Sequence, residues 1–589
     1  MNYKEAAKNF IENEKQFHLG VIPTEQPSPL TKNLSQTIAK DTAAGCKMIL
    51  SVDANITKVA AAAFETEEFK SLVLDIKKAI DNRKTILFSS VGASGRMAIQ
   101  LDQTWRYFWT SLVNRIPGKK EAFIEISNLS NSIITGGDRA LVRSVENFED
   151  YMTFGRQQVI EAGVGPGDLV IGLAECGLSA SINGSVLEAD DRGCTTYYIY
   201  CNPKDILCKH LDRVRVVFER KNLKFISLFV GNMAIAGSTR MQVTTVELLA
   251  VGAAIELACW EWLKENLTPE ELEAVGSGVL EPQEYAREFQ RLVDDLSSGE
   301  ALAGLAQAVD YETSTYNQNG LITYLAHDYQ LDIMTDTTER QPTFTLPPFK
   351  KFKDTESQVS WAYIKNPLYP NSVAWQHIFR RPIKGLDWSK ELYIRLKAAQ
   401  SIIDNPPAVA TSEVEEYVIG NEDDPSRYSR KPANLVVIDI NGSATPEVLA
   451  WQNKYKDKFT ESVALRMGEI GSEKLLDKEI RIPVKLSRTI TELMTHLMVK
   501  LCFNILSTAT MAKMGRVWSN WMIQVLPTNK KLIDRSTRII STLAGIPYEE
   551  ANEEFFKTYF SRDPKEVYRE SYVVETLRRL GFDPEKEIK

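Results

Sequence analysis

Strand-like and helical segments alternate along the first half of the chain, and this order constrains the fold more than any other feature. The strand-like runs are KTILFSS, AFIEIS, DLVIGLAE, TTYYIYC and FISLFV. Stretches with a helical spacing of apolar residues separate several of them, among them GDRALVRSVENFEDY and SINGSVLEADDRG, and a long apolar helix follows over residues 237–267. Strands that alternate with helices predict a parallel sheet with helices on both faces.

The second half of the chain repeats this order. The helical stretch FQRLVDDLSSGEALAGLAQAVD precedes the strand-like LITYLAHDY and PANLVVIDING, and the helix TELMTHLMVKLCFNILSTATMAKMG closes the round. TILFSSVGASGRMAIQLDQTWR also aligns with LITYLAHDYQLDIMTDTTER, which indicates an internal duplication. We therefore predict an α/β protein with two tandem, flavodoxin-like three-layer domains and a C-terminal all-helical domain. The predicted bounds are 1–45 for an N-terminal segment, 46–285 and 286–515 for the two domains, and 516–589 for the helical cap.

Charge and composition exclude several classes of protein. The formal net charge of −8 argues against nucleic-acid binding, which needs a basic face. No run of about 18 uncharged apolar residues occurs, so we expect no membrane span, and the charged start MNYKEAAKNF argues against a secretory signal. The seven cysteines form no C-x-x-C pair and the five histidines lack metal-ligand spacing. We therefore predict a cytoplasmic protein without a metal or another cofactor.

Three turns rich in serine and glycine precede predicted helices. Helix N-termini offer free N–H groups to anions, and ligands of open parallel sheets bind beyond the carboxyl ends of the strands. The alternative is that the serines only cap helices, and Glu175 beside the second turn would repel a phosphate. The candidate ligand-binding residues are Ser90, Gly92, Ala93, Ser94 and Gly95 in the first turn, Cys176, Gly177 and Ser179 in the second, and Ser238, Thr239 and Arg240 in the third.

Charged residues outside these turns are further candidates. Glu146 and Glu149 share a helix face at i and i+3, where one could act as a general base or bind sugar hydroxyls. The alternative is a solvated helix face. Lys500 lies in the apolar run LMVKLCFNILS, where a lysine is costly unless it is paired or functional. It could neutralise a phosphate, or it could extend to solvent.

These pieces together resemble the sugar isomerase (SIS) family. VGASGRM, GGDRALVRSVENFED, YCNP and GSTRM are similar to motifs of the bacterial N-acetylmuramic acid 6-phosphate etherases, and TEQPSP resembles their N-terminal signature. The resemblance to the glucokinase regulatory proteins extends over nearly the whole chain, including DTTERQPTF and NILSTATMAKMGRVWSNWMIQVLPTNKKL. It implies two tandem SIS domains, with a fructose phosphate in the first domain and the second domain as its cap.

The resemblance also implies a role for each candidate residue. Ser94 and Ser179 would hold the phosphate with backbone help from Ala93, Gly95 and Gly177. Glu149 matches a glutamate that contacts the sugar, and Lys500 matches a lysine that reaches in from the second domain. Ser238, Thr239 and Arg240 match a third loop. The positions that depart from the family pattern are Val91, Ala93, Glu175, Cys176 and Gln242.

The etherase reaction needs two acid–base glutamates. Glu149 matches one of them, but the other falls on Thr104, and threonine cannot transfer that proton near neutral pH. Glu339 holds the equivalent place in the second round, where the turn HDYQLD lacks the glycine cradle. We therefore expect no catalytic residue and a regulatory protein that binds a fructose or amino-sugar phosphate, with a sugar kinase as candidate partner. The alternative is a phosphosugar enzyme, an etherase-like lyase or an isomerase, that uses Glu149.

Overall fold

Two parallel five-stranded sheets form the centre of the protein. The computed structural model describes residues 2–145, 148–563, 571–584 and 586. The first sheet has the strand order β2-β1-β3-β4-β5 and the second has the order β7-β6-β8-β9-β10. The strands are β1 (Ile86–Ser90), β2 (Ser130–Ile134), β3 (Leu169–Leu173), β4 (Thr195–Tyr200), β5 (Lys224–Ser227), β6 (Leu321–Leu325), β7 (Ala362–Lys365), β8 (Ala433–Ile440), β9 (Glu461–Gly468) and β10 (Glu479–Pro483).

The two sheets have the same topology. Each starts at the second position, adds one strand on one side and then three on the other, which is the flavodoxin-like order. All neighbouring strands in both sheets run parallel. The predicted fold class, two tandem α/β domains with a helical C-terminal region, is therefore confirmed. We call the first sheet with its flanking helices the first unit, and the second sheet with its flanking helices the second unit.

Helices account for most of the remaining chain. Those before and within the first unit are α1 (Tyr3–Asn13), α2 (Leu34–Lys40), α3 (Thr42–Phe64), α4 (Glu67–Asp81), α5 (Gly92–Arg115), α6 (Lys120–Ser127), α7 (Arg139–Val142), α8 (Met152–Ala162), α9 (Ala180–Asp191), α10 (Lys204–His210), α11 (Asp212–Phe218) and α12 (Gln242–Asn266). Those of the second unit are α13 (Pro269–Ala274), α14 (Pro282–Leu296), α15 (Gly299–Asn317), α16 (Gln330–Phe344), α17 (Asn371–Phe379), α18 (Lys390–Arg395), α19 (Gln400–Asp404), α20 (Thr411–Glu415), α21 (Pro446–Tyr455) and α22 (Leu493–Lys513). A small ribbon of β11 (Val517–Trp518) and β12 (Trp521–Met522) then leads to α23 (Lys530–Ala544), α24 (Tyr548–Ser561) and α25 (Tyr572–Arg579).

Side chains of the first sheet alternate between two apolar layers. Ile86 and Phe88 on β1 point into a core that runs through both units and the C-terminal helices. Leu87 between them packs on the opposite face with Val159 of α8. Successive strand residues point to opposite faces, so continuous apolar runs such as TILF mean that both faces are covered.

Two predicted elements differ from the structure. AFIEIS is not a strand but lies in α6, and Phe123 and Ile126, three residues apart, are its buried apolar positions. That spacing suits one face of a helix. Among its described residues, the stretch GDRALVRSVENFEDY has one α-helix, the four-residue α7. Glu146 lies outside the described residues.

The helix α12 is long and largely apolar. Among the residues that the structure describes, it alone is long and apolar enough to cross a membrane, and 89% of its 18-residue apolar window is buried inside the protein. The core helix of a globular protein has the same properties.

The N-terminal segment is anchored to the C-terminal helix α23 by buried charges. Glu25 accepts hydrogen bonds from Arg535 at 2.7 Å and from Arg538 at 2.8 Å. Burial by itself would raise the pKa of Glu25, but the two arginines outweigh burial and lower that pKa from 4.5 to about 2. Glu25 therefore connects the two ends of the chain as a carboxylate.

We expect Glu25 to make the protein sensitive to acid. Because its pKa is lower in the folded state, its stabilising contribution is complete above pH 4.5 and is lost as the pH falls from there towards 2. Glu25→Gln should lower the free energy of unfolding at pH 7 by about 3–5 kcal/mol, since it leaves the buried Arg535 without a carboxylate partner and Arg538 with Asp534 alone, and should reduce this acid dependence. Denaturation series between neutral and acid pH would measure both effects. Glu14→Gln, which breaks the more exposed Glu14–Lys530 pair on the same helix, should cost less than about 1 kcal/mol; equal losses in the two variants would contradict the prediction.

Candidate functional site

A cavity of about 120 Å³ lies at the carboxyl ends of β1 and β3. Four parts of the chain close it: the first unit, the helix α16 of the second unit, the N-terminal segment and the C-terminal helix α23. We call it the first cavity. Its polar and charged lining residues are Glu25, Ser144, Glu149, Glu175, Cys176, Ser238, Thr239, Arg240, Glu339, Thr343, Lys531 and Arg535, and Gly92, Ala93 and Gly237 contribute backbone.

The first predicted turn brings the N-terminus of α5 to this cavity. Gly92 begins the helix with a φ of +57°, a conformation that other residues rarely adopt. The first N–H groups of an α-helix have no acceptor within the helix, so the 24-residue helix α5 presents donors and the positive end of its dipole to the cavity. Gly92 and Ala93 line the cavity as predicted.

The other residues of this turn point into the protein. Ser94 is fully buried and its hydroxyl contacts the carboxyl group of Glu247 on α12. The Ser90 hydroxyl donates to the carbonyl of Leu173 and thereby joins β1 to β3. A Cβ atom at Gly95 would lie 2.6 Å from the side chain of Ile134. These three residues therefore stabilise the turn through contacts inside the protein and do not line the cavity.

Of the candidate residues in the second predicted turn, one lines the first cavity. Cys176 lines the cavity, and burial raises the pKa of its thiol far above the usual range, so it is no nucleophile near neutral pH. Gly177 turns the chain, and Ser179 at the start of α9 donates to Glu149 at 3.2 Å. Glu175, the residue expected to oppose a phosphate, lies on the cavity wall.

The third predicted turn lines the cavity with all three of its candidates, Ser238, Thr239 and Arg240. The Thr239 hydroxyl donates to Glu175. Gly237 has a φ of +72°, and a Cβ atom there would lie 2.4 Å from the Arg535 guanidinium, so the close approach of α23 needs glycine. Arg240 is not a free cation, since its guanidinium donates to Asp336 of the second unit at 2.6 Å.

Lys500 reaches the neighbourhood of the cavity from the second unit but lies beside it. Its ammonium group donates to the carbonyl of Arg240 at 2.9 Å and to Asn504 at 2.8 Å. It lines a small adjoining cleft together with Arg240 and Glu339. Burial and the positive charge of Arg240 lower the pKa of Lys500 to about 7. An anion bound nearby would therefore favour the charged form of Lys500.

Three carboxyl groups with different surroundings meet in the first cavity. Glu149 contacts Lys531 at 3.2 Å and accepts a hydrogen bond from Asn529 at 3.1 Å. Glu339 pairs with Arg96 of α5. Burial raises the pKa of Glu175 to about 7, against the attraction of Lys531, and the charges of Glu149 and Glu339 raise it further. The cavity thus holds two carboxylates paired with cations and one carboxyl group that is partly protonated near neutral pH.

The position of Glu339 corrects an expectation from the sequence. Treating the two halves separately, we expected neither half to hold two acid–base groups. In the structure α16 crosses from the second unit and carries Glu339 into the first unit's cavity, whereas Thr104 lines neither this cavity nor the adjoining cleft.

Sequence analysis missed the contributions of the chain ends. Glu25, Lys531 and Arg535 line the cavity from segments far from the three turns. The basic run NKK before α23 was the available signal, but nothing in one sequence shows which surface it meets. His327, Asp328 and His377 also lie within 4.8 Å of one another, a grouping that could hold a metal and that sequence spacing did not indicate. His377 already accepts a hydrogen bond from Arg380 at 3.0 Å.

The chain is similar in sequence to known proteins. Residues 68–189 match the family model of the glucokinase regulatory protein N-terminal SIS domain. The N-acetylmuramic acid 6-phosphate etherase of Petrotoga mobilis is 28% identical over 231 residues, which cover 39% of this chain and 67% of that protein. The etherase of Geobacillus thermodenitrificans is 31% identical over 186 residues, which cover 30% of this chain and 60% of that protein.

Solved structures give a further comparison. The C-terminal domain of glucosamine-fructose-6-phosphate aminotransferase from Francisella tularensis is similar with a TM-score of 0.40 and 10% identity, over 79% of this chain and 95% of that one. The family model falls on the unit that holds the first cavity. The first unit is therefore similar to the N-terminal SIS domain of the glucokinase regulatory proteins, and the chain is similar to the N-acetylmuramic acid 6-phosphate etherases.

Proposed function

We propose that the first cavity binds a phosphosugar and performs acid–base chemistry on the carbon atom next to the sugar's carbonyl group. The observation that carries this proposal is the meeting of Glu149, Glu175 and Glu339 in one cavity. The etherase relatives support it, because their reaction is of this class. The proposed activity is an etherase-like lyase reaction. If the substrate carries no leaving group next to that carbon atom, the same proton transfers would isomerise a sugar phosphate.

The phosphate and the reacting carbon of the ligand would lie at different ends of the cavity, because the two ends differ in charge. The N-terminus of α5 offers N–H donors at Gly92 and Ala93, and Lys531 and Arg535 add cations from α23. The three carboxyl groups would repel a phosphate, so they suit the sugar end of the ligand. This division places the phosphate against the helix terminus and the sugar carbons between the glutamates.

The carboxyl groups can then divide the proton transfers. Glu149 or Glu339, each paired with a cation, accepts the proton from the carbon beside the carbonyl, and the electron pair of that C–H bond forms a C=C bond as the neighbouring C–O bond breaks. Glu175, partly protonated near neutral pH, donates its proton to the departing oxygen. Addition of water across the C=C bond completes the cleavage of the ether. In an isomerase, the proton returns to the adjacent carbon instead.

Incubation of the purified protein with candidate substrates tests this function. N-acetylmuramic acid 6-phosphate should release lactate, or a hexose or amino-sugar phosphate should convert into its isomer, and mass spectrometry would detect either product. Glu149→Gln should abolish the conversion, and the same variant shows that a contaminating enzyme is not responsible. If no phosphosugar is converted by the wild type, the proposal of an enzyme is wrong.

The second candidate is the regulatory protein expected from the sequence. It is favoured by the construction of the cavity from four parts of the chain, because a bound phosphosugar would hold these parts together and shift the population of their arrangements. A ligand that is not converted but raises the melting temperature with its concentration would support this candidate. A sugar kinase partner belongs to it, as does the cytoplasmic location that the free cysteines suit.

A further inference from the structure

The second unit has a cavity of its own in the place that corresponds to the first cavity. It has a volume of about 410 Å³ and lies at the carboxyl ends of β6 and β8. Three loops line it, over residues 328–332 after β6, 440–445 after β8 and 488–492 before α22. In the first unit the corresponding loops follow β1 and β3 and precede α12. We call it the second cavity.

Each cavity is lined in part by a helix that begins in the other unit. Tyr107 and Phe108 on α5 line the second cavity, and Pro342 and Thr343 at the matching positions of α16 line the first. Each helix thus begins at its own unit's cavity and passes the other unit's cavity further along. The second cavity is therefore built on the same plan as the first and is not an accidental gap between domains.

Two arginines give the second cavity a capacity for anions. Arg380 and Arg115 both line it, and neither forms an ion pair with any residue that the structure describes. The Nε atom of Arg380 is buried and has no hydrogen-bond partner in the described part of the chain, and its guanidinium stacks 4.7 Å from the centre of the Tyr107 ring. Arg488 also lines the cavity and contacts Glu469 at 3.4 Å.

The acidic residues of this cavity are partly neutralised. Asp332 contacts His496 at 2.7 Å, and Asp328 lies 3.7 Å from His327. Glu492 accepts from the hydroxyl of Thr495 at 3.3 Å. Unlike the first cavity, the second has no lining carboxyl group paired with a lysine or arginine in the described part of the chain, so Arg380 and Arg115 remain available to a ligand.

A helix N-terminus supplies a second element for anion binding. α21 has ten residues, and Thr445 precedes it without forming a side-chain cap. The Thr445 hydroxyl lines the cavity and is buried without a well-aligned hydrogen bond in the described part of the chain, and it lies beside the carboxylate of Glu447 in the first turn of α21. An unpartnered buried hydroxyl costs free energy, and a phosphate oxygen at the start of α21 would accept from it and from the first N–H groups of the helix.

We propose that the second cavity is a separate binding site for a small phosphorylated organic molecule. Arg380, Thr445 and the N-terminus of α21 would hold the phosphate, while Tyr107 and Tyr329 provide ring surfaces for the organic part. The site does not depend on catalysis in the first cavity.

Hydrogen exchange of the full chain, followed by mass spectrometry, locates the ligand directly. With fructose 6-phosphate as probe, amides at the start of α21 should exchange several-fold more slowly, because N–H groups without a partner gain one. Fructose without the phosphate should give no such protection. Arg380→Gln and, as an isosteric change, Thr445→Val should each remove most of the protection at α21 and leave any protection at residues 92–97 unchanged.

Arg287→Gln is the matched control, since Arg287 lies on α14 and pairs with Glu284 at 3.4 Å away from both cavities. It should keep the full protection. Protection confined to the first unit, equal protection by fructose, or protection at α21 that survives in both cavity variants would each overturn the proposal.

Discussion

Replacing Glu175 with glutamine is expected to lower kcat for the converted phosphosugar by ~10²–10⁴-fold, the usual contribution of a positioned general acid. Glu175 lies in the first cavity within electrostatic range of Glu149 and Glu339, and burial raises its pKa to about 7. A glutamine keeps the shape and can still accept from Thr239, but it has no proton to donate. Substrate binding should therefore change far less than turnover.

The pH profile provides a second measurement of the same prediction. The acid is active in its protonated form, so the wild-type kcat should fall as the pH rises through about 7, and Glu175→Gln should lose this dependence. Asp53→Asn is the matched control: burial also raises the pKa of Asp53 to about 7, but Asp53 does not line the cavity. A Glu175→Gln enzyme with normal kcat, or with the wild-type decline above pH 7, would show that another group donates the proton.

Asp336→Ala is expected to cost about 3–5 kcal/mol of unfolding free energy, because it leaves the buried Arg240 without a counter-charge and Arg340 with Glu312 alone. Asp336 accepts from Arg240 of the first unit at 2.6 Å and from Arg340 at 3.1 Å, and Asn504 and Ser507 donate to it as well. Burial by itself would raise the pKa of Asp336, but Arg240 and Arg340 outweigh burial and lower it. One carboxylate thus joins the third loop of the first unit to α16 and α22.

Urea denaturation would measure this loss, and two further variants sharpen it. Asp310→Ala breaks the exposed Asp310–Lys513 pair, which also joins α22 to a neighbouring helix, and should cost under about 1 kcal/mol. Arg240→Met should cost less than Asp336→Ala, because Asp336 then keeps Arg340 as its partner. Similar losses for Asp336→Ala and Asp310→Ala would mean that the buried network does not stabilise the interface.

The sequence predicted the parts of the fold that depend on local pattern. TILF, DLVIGLAE and LITYLAHDY are apolar runs bounded by turns, and each contains a strand of a central sheet. AFIEIS failed because alternate apolar residues in a short run also suit one face of a helix, and only packing of Phe123 and Ile126 decides between the two.

The candidate site shows the same limit at a larger scale. The turns at Gly92, Cys176 and Thr239 could be found because glycine and serine before a helix have a local physical meaning. Ser94 and Ser179 fit the same pattern, yet neither lines the cavity: Ser94 contacts the buried Glu247, and Ser179 contacts the lining residue Glu149. Lys531 and Glu339 could not be placed, since their approach depends on how distant helices cross the first unit.

The exchange of α5 and α16 between the cavities has a consequence for how such a chain can diverge. In an assembly of two identical subunits, every substitution changes both sites at once. Here the two copies are fused, so an acid can be kept at Glu339 while its counterpart is a threonine at Thr104. A single substitution then alters one pocket alone, although the altered residue belongs to the opposite half of the chain. The two pockets can therefore acquire different roles through substitutions in the helix that each pocket receives from the opposite half of the chain.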